Sequence, residues 1–209
     1  VWPVLAFDEP SSQPDPTVAI LRTRNEVALV GATTIEVYAN VGTQPFPFQV
    51  ILGAQIQKGC VGTFACCVFL DSIAFIGGGE NEQPSIWLAA NAQTQKLSTW
   101  SIDQTLAGYS TVQLASAFLE TANINGQECL FVHLPDQTLR FDATSSKQLG
   151  VQVWTVLTHG VVGLERYRAQ HLVWCFDRWN GGDPASTVFG YLDDSIGSVY
   201  GEDVRCEFA

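Results

Sequence analysis

"VAILRTRNEVALVGATTIEVYANV", residues Val18 to Val41, decides the fold. Three short runs rich in Val, Ile, Leu and Thr are broken at Arg24-Asn25 and at Gly31-Ala32. β-branched and aromatic residues suit a pleated, half-buried surface, and polar or glycine-containing dipeptides between them mark turns. The stretch therefore predicts three strands joined by tight turns. The same sentence recurs in "FACCVFLDSIAFIGGGENEQPSIWLAAN", with turns at Asp71-Ser72 and Gly77-Gly78-Gly79. It recurs in "ASAFLETANINGQECLFVHLPDQTLRFDAT", with turns at Asn125-Gly126 and Pro135-Asp136. A looser copy is "RYRAQHLVWCFDRWNGGDPASTVFGYLDD".

The third strands of the four copies end near Tyr38, Leu88, Phe141 and Tyr191, in steps of 50, 53 and 50 residues. Each is followed by a further apolar segment, "FPFQVI", "KLSTW", "VQVWTVL" and "SVYGEDV", expected as a fourth strand. Four antiparallel strands per unit is the plan of a propeller blade, and a period near ~50 residues is in the kelch-like range. The expected fold is all-β, a β-propeller-like array of about four four-stranded blades. The repeats run roughly 17–58, 59–108, 109–163 and 164–209 within one domain of 1–209. A pair of stacked β-sandwiches is the alternative. One helix is expected outside the blades: "STWSIDQTLAGYS" offers Ser98 or Thr99 as N-cap, Ile102 and Leu106 four apart, and Gly108 as a stop.

The bulk numbers bound the function. The 209 residues are 46% hydrophobic and 15% charged, ample for a core and unlike a disordered chain. No apolar run approaches the ~20 residues of a membrane span, and no basic n-region precedes an apolar core. The chain has no methionine, which suggests a fragment or a processed product of a longer propeller. Its net charge is −11, and the basic residues are scattered, with Arg166-Tyr167-Arg168 the one tight group. Tracking a nucleic-acid backbone needs clustered Lys and Arg, so sequence-specific nucleic-acid binding is not expected. An acidic surface suits a passage through which DNA slides without sticking.

Motifs for chemistry are missing. There is no Gly-x-Ser-x-Gly elbow, GxGxxG, GxxxxGK[ST] or HExxH, and no paired CxxC. His133 and His171 lie in apolar strand runs and His159 in an expected loop. Asp193-Asp194 and Glu202-Asp203 are acid pairs, but no calcium loop surrounds them and no Ser-x-Asp-x-Gly-x-x-Thr-Trp box accompanies them. Six cysteines are few for this length. Cys66 and Cys67 stand next to each other on a strand and so point to opposite faces, while Cys129 and Cys175 sit in apolar runs. The reading favours reduced core thiols, with a disulfide or a metal role as alternatives. No catalytic, metal or cofactor-binding residue is expected, and no cofactor. Trp179, Asn180 and Asp183, in "RWNGGDP", are expected to form an exposed contact loop.

From Asp15 onward the chain resembles a known family. The words are Asp15-Pro16, Thr34-Ile35-Glu36-Val37-Tyr38, Phe46-Pro47-Phe48, Gly59-Cys60-Val61-Gly62, and Asp71-Ser72 before an apolar strand. "KLSTWSIDQTL" and "LRFDATSSKQLGVQVWT" continue the likeness to about residue 157. These resemble the packaged DNA stabilisation proteins, also described as tail accessory or hub proteins, of short-tailed lambdoid phages. Two departures mark a distant member. Ala74-Phe75-Ile76 stands where the family has a bulky aromatic pair, and its "YD…W" phrase survives as Phe141-Asp142 and Trp154.

The resemblance implies a non-enzymatic virion protein of the phage tail, assembled in the host cytoplasm. It implies a role in closing the portal channel, stabilising packaged DNA and linking portal to tail. Its partners would be the portal, the tail needle or a neighbouring tail component, and several copies would form a ring. No membrane contact is expected. A β-propeller module that binds a carbohydrate or protein ligand is the alternative.

Overall fold

Asp15 shows how the turns of the chain are held. Its carboxylate accepts from the backbone N–H groups of Ala32, Thr33 and Thr34 at 3.1, 2.9 and 2.8 Å, and from the Thr34 hydroxyl at 3.0 Å. Burial pulls its pKa up, but these donors outweigh it and hold the carboxyl below the usual range. The turn so clamped joins β2 (Glu26–Gly31) to β3 (Ile35–Asn40), after β1 (Thr17–Thr23) has paired with β2 around Arg24-Asn25. β4 (Phe48–Val50) pairs with β3 and completes a sheet in order β1-β2-β3-β4. This computed structural model describes residues 15–44, 46–159, 165–193, 195–196 and 198–203.

The second sheet comprises β5 (Gly59–Cys60), β6 (Cys66–Phe69), β7 (Ser72–Gly78), β8 (Ser85–Ala90) and β9 (Gln93–Lys96). β5 and β6 share one edge of β7, and β8 takes the other. Phe75, Ile76 and Ile86 are fully buried there. Two helices follow, α1 (Trp100–Ala107) and α2 (Thr111–Ala115). The expected helix is present, with Thr99 as N-cap residue, Ile102 and Leu106 as its buried stripe and Gly108 at its end. Thr99 makes no side-chain cap; the Ser98 hydroxyl instead donates to Asp103 Oδ1 at 2.6 Å. α2 carries a capping box in which Ser110 and Gln113 satisfy each other's backbone N–H.

The chain divides into two compact units, Val1–Leu119 and Glu120–Ala209. β10 (Phe118–Ile124) crosses the boundary into a sheet ordered β10-β11-β12-β13-β14. Its other strands are β11 (Gln127–His133), β12 (Thr138–Asp142), β13 (Val153–His159) and β14 (Glu165–Arg166). α3 (Ala143–Leu149) lies between β12 and β13. β15 (Gln170–Cys175), β16 (Arg178–Gly182) and β17 (Phe189–Tyr191) form the next meander, and β18 (Ser198–Val199) pairs with β19 (Glu202–Asp203). Ala122, Cys129 and Phe131 form a core against which Ile124, Leu157, Leu172 and Trp179 pack.

Nearly every strand pairs with its neighbour in sequence, as blades require, and the long returns of a Greek-key sandwich do not occur among the described residues. The chain is all-β, a propeller-like array of four antiparallel blades.

Details differ from the sequence reading. The fourth strand of the second blade is the polar Gln93–Lys96, which shares only Lys96 with "KLSTW", whose Ser98 and Thr99 lead into α1. "SVYGEDV" does not close the fourth blade, because β18 and β19 pair with each other. Gly77 and Gly78 belong to β7 rather than to a turn: a Cβ on Gly77 would lie 1.8 Å from the Gly59 carbonyl oxygen, so only glycine lets β5 approach. The turn before β7 is Leu70-Asp71, not Asp71-Ser72, with φ of 51° and 56°. His159 ends strand β13 and is buried, where a loop was expected.

Candidate interaction surface

The crossover into the second blade is the part of the chain most suggestive of chemistry, and its geometry explains it as packing. Gly59 lies against the backbone of Ala32 and Thr33, where a Cβ would come within 2.2 Å of both. Gly62 lies against Ala115 of α2, where a Cβ would meet the Ala115 carbonyl oxygen at 2.4 Å. Both glycines are there because backbone meets backbone. Cys60 and Cys66 are buried and Cys67 half-buried, and Cys60, Cys66, Cys129 and Cys175 are free thiols. The thiol of Cys60 donates to the Gly62 carbonyl at 3.2 Å and that of Cys66 to the Thr63 carbonyl at 3.7 Å. The Cys60 sulfur beside it, together with burial, pushes the Cys66 thiol above the usual range. Cys206 lies outside the described residues.

Asp71 sits at the exposed tip of the β6–β7 hairpin, 3.9 Å from Arg24 of the β1–β2 tip. With Thr23, Glu26, Asn91 and Ala92 they line a cleft of about 50 Å³. Substrate pockets run to about 300–1,000 Å³, so this cleft holds a water or two and no sugar or nucleotide.

The fourth blade corrects the expected contact loop. Trp179 and Asn180 lie in β16, and Asn180 and Asp183 are only 6% and 4% exposed. Asn180 is consumed by its own hairpin, its Nδ2 donating to the carbonyls of Cys175 and Arg178 at 2.9 and 3.0 Å. Trp179 is half-buried, stacks edge-on to Trp174 at 5.5 Å and donates Nε1–H to the Asn123 carbonyl. Asp183 accepts from Arg168 Nε at 2.8 Å, the Ala185 N–H at 3.0 Å and the Ser186 hydroxyl at 2.7 Å. Those partners, Arg168 foremost, hold its pKa down at about 2. Arg168 also donates Nη1–H to His159 Nε2 at 3.0 Å, so this arginine of the Arg166-Tyr167-Arg168 group is tied into the fold rather than offered to phosphate.

Glu120 is the polar hub that sequence reasoning missed. One carboxylate oxygen lies 2.7 Å from His133 Nε2, whose Nδ1 lies 3.0 Å from the Thr138 hydroxyl. The other accepts from the backbone N–H of Leu172 at 2.7 Å. One carboxylate thus joins β10, β11, β12 and β15. Burial lowers the pKa of His133, and the bond to Glu120 opposes that shift. His171 takes a left-handed φ of 57° at the irregular start of β15. Asp193 caps the turn at Ser195, whereas Asp194 and the side chains of Glu202 and Asp203 lie outside the described residues. Among the described residues no three His, Cys, Asp or Glu side chains converge as a metal site, and no helix is long and apolar enough to cross a membrane.

Among the described residues, both units carry large apolar side chains exposed to solvent. In the first unit Phe64, Trp100 and Val112 are strongly exposed, and the loop carrying Phe64 packs on α2 through Gly62. In the second unit Val173, Trp174, Phe189 and Tyr191 stand out from β15 and β17, and Phe176 is 87% exposed at the β15–β16 hairpin tip. The Arg178 guanidinium stacks over the Tyr191 ring at 4.5 Å.

A family model described as "Bacteriophage P22 Gp10, beta-propeller" matches residues 3–197. The chain belongs to this P22 Gp10 β-propeller family. It is 31% identical over 192 residues to the "Tail hub protein gp10" of Salmonella phage P22. That match takes in 90% of this chain and 40% of the relative, so the chain spans well under half the length of the tail hub protein. A solved GH43 glycoside hydrolase, engineered to display both endo-xylanase and exo-arabinofuranosidase activity, aligns with a TM-score of 0.40 at 15% identity. It covers 82% of this chain and 36% of the hydrolase, and at that score the likeness bears on neither fold nor chemistry. Within the Gp10 family frame, Phe141-Asp142 and Trp154 form one structural joint. Phe141 pairs across β12–β13 with Trp154, ring centroids 5.0 Å apart, and Asp142 caps α3 by accepting from the Ser145 N–H at 2.8 Å.

Proposed function

We propose that this chain is a non-enzymatic structural part of a phage tail hub, built into the virion between portal and tail. The family match over residues 3–197 carries the reading. The hydrogen-bonded polar groups of the second unit support it, because Glu120, His133, Arg168 and Asp183 are spent holding strands together. The exposed aromatic side chains of the second unit supply what a docking protein needs, since Trp, Tyr and Phe dominate contact energies between proteins. In this role the protein closes the portal channel after packaging, retains the DNA and carries the next tail component, as copies in a ring. The net charge of −11 keeps the DNA from adhering to it.

The test is assembly. Phage grown with the full-length gene disabled should yield filled heads whose DNA becomes accessible to nuclease, and adding the purified full-length protein should restore protection. Virions that lack the protein by mass spectrometry, or heads that keep their DNA without it, would overturn the proposal.

A further inference from the structure

The geometry points to a modification site that the fold and the proposed function leave unused: Cys60 and Cys66 form a dithiol that closes into a disulfide across the Val61–Ala65 loop. Both residues lie on the same edge of β7, Cys60 opposite Gly77 and Cys66 opposite Phe75. The ladder between them is intact, with Val61 N–H donating to the Ile76 carbonyl at 3.0 Å and Ile76 N–H to the Ala65 carbonyl at 2.9 Å. The loop is therefore an excursion from one edge strand, and its two cysteines stand two rows apart on the same face of the sheet. Two rows span about 6.6–6.8 Å, at the upper end of the Cα separations a disulfide bridges. Strand twist shortens that span.

Both thiols already point into the mouth of this loop, toward the carbonyls of Gly62 and Thr63. Cys67 is excluded as a partner, because it pairs with Ala74 and so faces the opposite side of the sheet. Cys60 and Cys66 are 2% and 7% exposed, so the oxidant must be small.

Hydrogen peroxide meets that need, and the chemistry balances. The Cys60 thiol gives up its proton and its sulfur attacks one peroxide oxygen. The O–O bond breaks, leaving Cys60 sulfenic acid and releasing one water. The Cys66 sulfur then displaces the sulfenic hydroxyl, its proton leaves with that group as a second water, and the S–S bond forms. Two thiols are oxidised and one peroxide is reduced. The bond would pin the loop that presents Phe64, which is 71% exposed and whose carbonyl accepts from the Leu119 N–H at 2.9 Å. The physiological setting rests on the proposed tail role, since a virion leaves a reducing host interior for an oxidising exterior; the bond itself does not.

The experiment uses the purified chain and dilute hydrogen peroxide, followed by thiol counting in denaturant and peptide mapping without reductant. Six titratable thiols should fall to four, with a cross-link between Cys60 and Cys66 that dithiothreitol reverses. Cys60→Ser or Cys66→Ser should abolish the cross-link, and Cys67→Ser should leave it. Oxidised protein should also show an unfolding constant about fiftyfold smaller, from the restriction of a short loop. A stable sulfinic acid at Cys60, a cross-link through Cys67, or six thiols after treatment would overturn the inference. Mapping of the unaltered chain decides the matter even if a serine variant folds poorly. A cross-link in a protein absent from virions would sink the tail reading and leave the dithiol standing.

Discussion

Replacing Arg168 by Met strips the buried Asp183 carboxylate of its guanidinium partner. The Asp183 side chain is fully buried, whereas that of Arg168 is 20% exposed, so the two halves of the pair are not equivalent. A carboxylate left alone in the interior costs about 3–5 kcal/mol, because nothing replaces its lost hydration. We expect Arg168→Met to destabilise the second unit by about 3 kcal/mol at pH 7, with the Ala185 and Ser186 donors offsetting part of the loss. Asp183→Asn is milder, at about 1–2 kcal/mol, because Arg168 can turn to water and keep His159. The pH dependence has a definite sign. Asp183 is held at about 2 against an ordinary 3.8, so its contribution is complete above pH 4 and disappears as pH falls toward 2. The gap corresponds to roughly 2 kcal/mol before screening through the open side of Arg168, and about 1 kcal/mol after it. Urea unfolding followed by tryptophan fluorescence reads all three, Trp174 and Trp179 lying in the same blade. A loss under 1 kcal/mol for Arg168→Met would refute the buried pair. So would an Asp183→Asn deficit that stays constant from pH 7 to pH 2.5.

His133 resists protonation in the folded state because of burial, so the native chain binds its proton less readily than the unfolded chain does. Stability should be full above the ordinary histidine pKa of 6.5 and fall by up to about 1.4 kcal/mol per pH unit below it; urea midpoints for the wild type and His133→Gln at pH 7.5 and 5.5 test this, since Glu120, Arg166 and His171 are unchanged between the two proteins. Gly77→Ala should cost at least about 3 kcal/mol or yield insoluble protein, because its Cβ would lie 1.8 Å from the Gly59 carbonyl oxygen. Gly78→Ala meets the Glu82 Cβ at 3.2 Å and the Gln83 carbonyl oxygen at 3.3 Å, far looser contacts than at Gly77, and should lose less than half as much in the same melt. Phe176→Asn with Asp177→Gly should raise stability by about 1 kcal/mol, since both residues hold left-handed φ values of 54° and 57° that Asn-Gly adopts readily; a lower melting temperature would contradict it.

The blades were legible because their signal is local. Alternating apolar residues and turn dipeptides such as Asn125-Gly126 carry the meander in short words, and the helix at Trp100 announced itself by Ile102, Leu106 and Gly108. The fourth strands were harder. Gln93–Lys96 is polar because an outer strand buries little, so hydropathy passed over it in favour of "KLSTW". "RWNGGDP" looked like a loop because glycine and proline usually punctuate; here Gly181 and Gly182 sit inside β16, where a Cβ on Gly181 would press on Leu172. The role of Glu120 was invisible, since its partners Leu172 and His133 are distant in sequence and a lone glutamate in a strand carries no mark of them.

The meander order has a kinetic consequence. Most of the hairpins close over a loop of a few residues, so the entropy of closure is small and most contacts that define a sheet form between segments made one after another. A ribosome adding ~5–20 residues per second releases each strand slowly compared with microsecond hairpin formation. The first sheet can therefore assemble around its Asp15 clamp while later blades are still being translated, leaving few unpaired edges exposed at any moment.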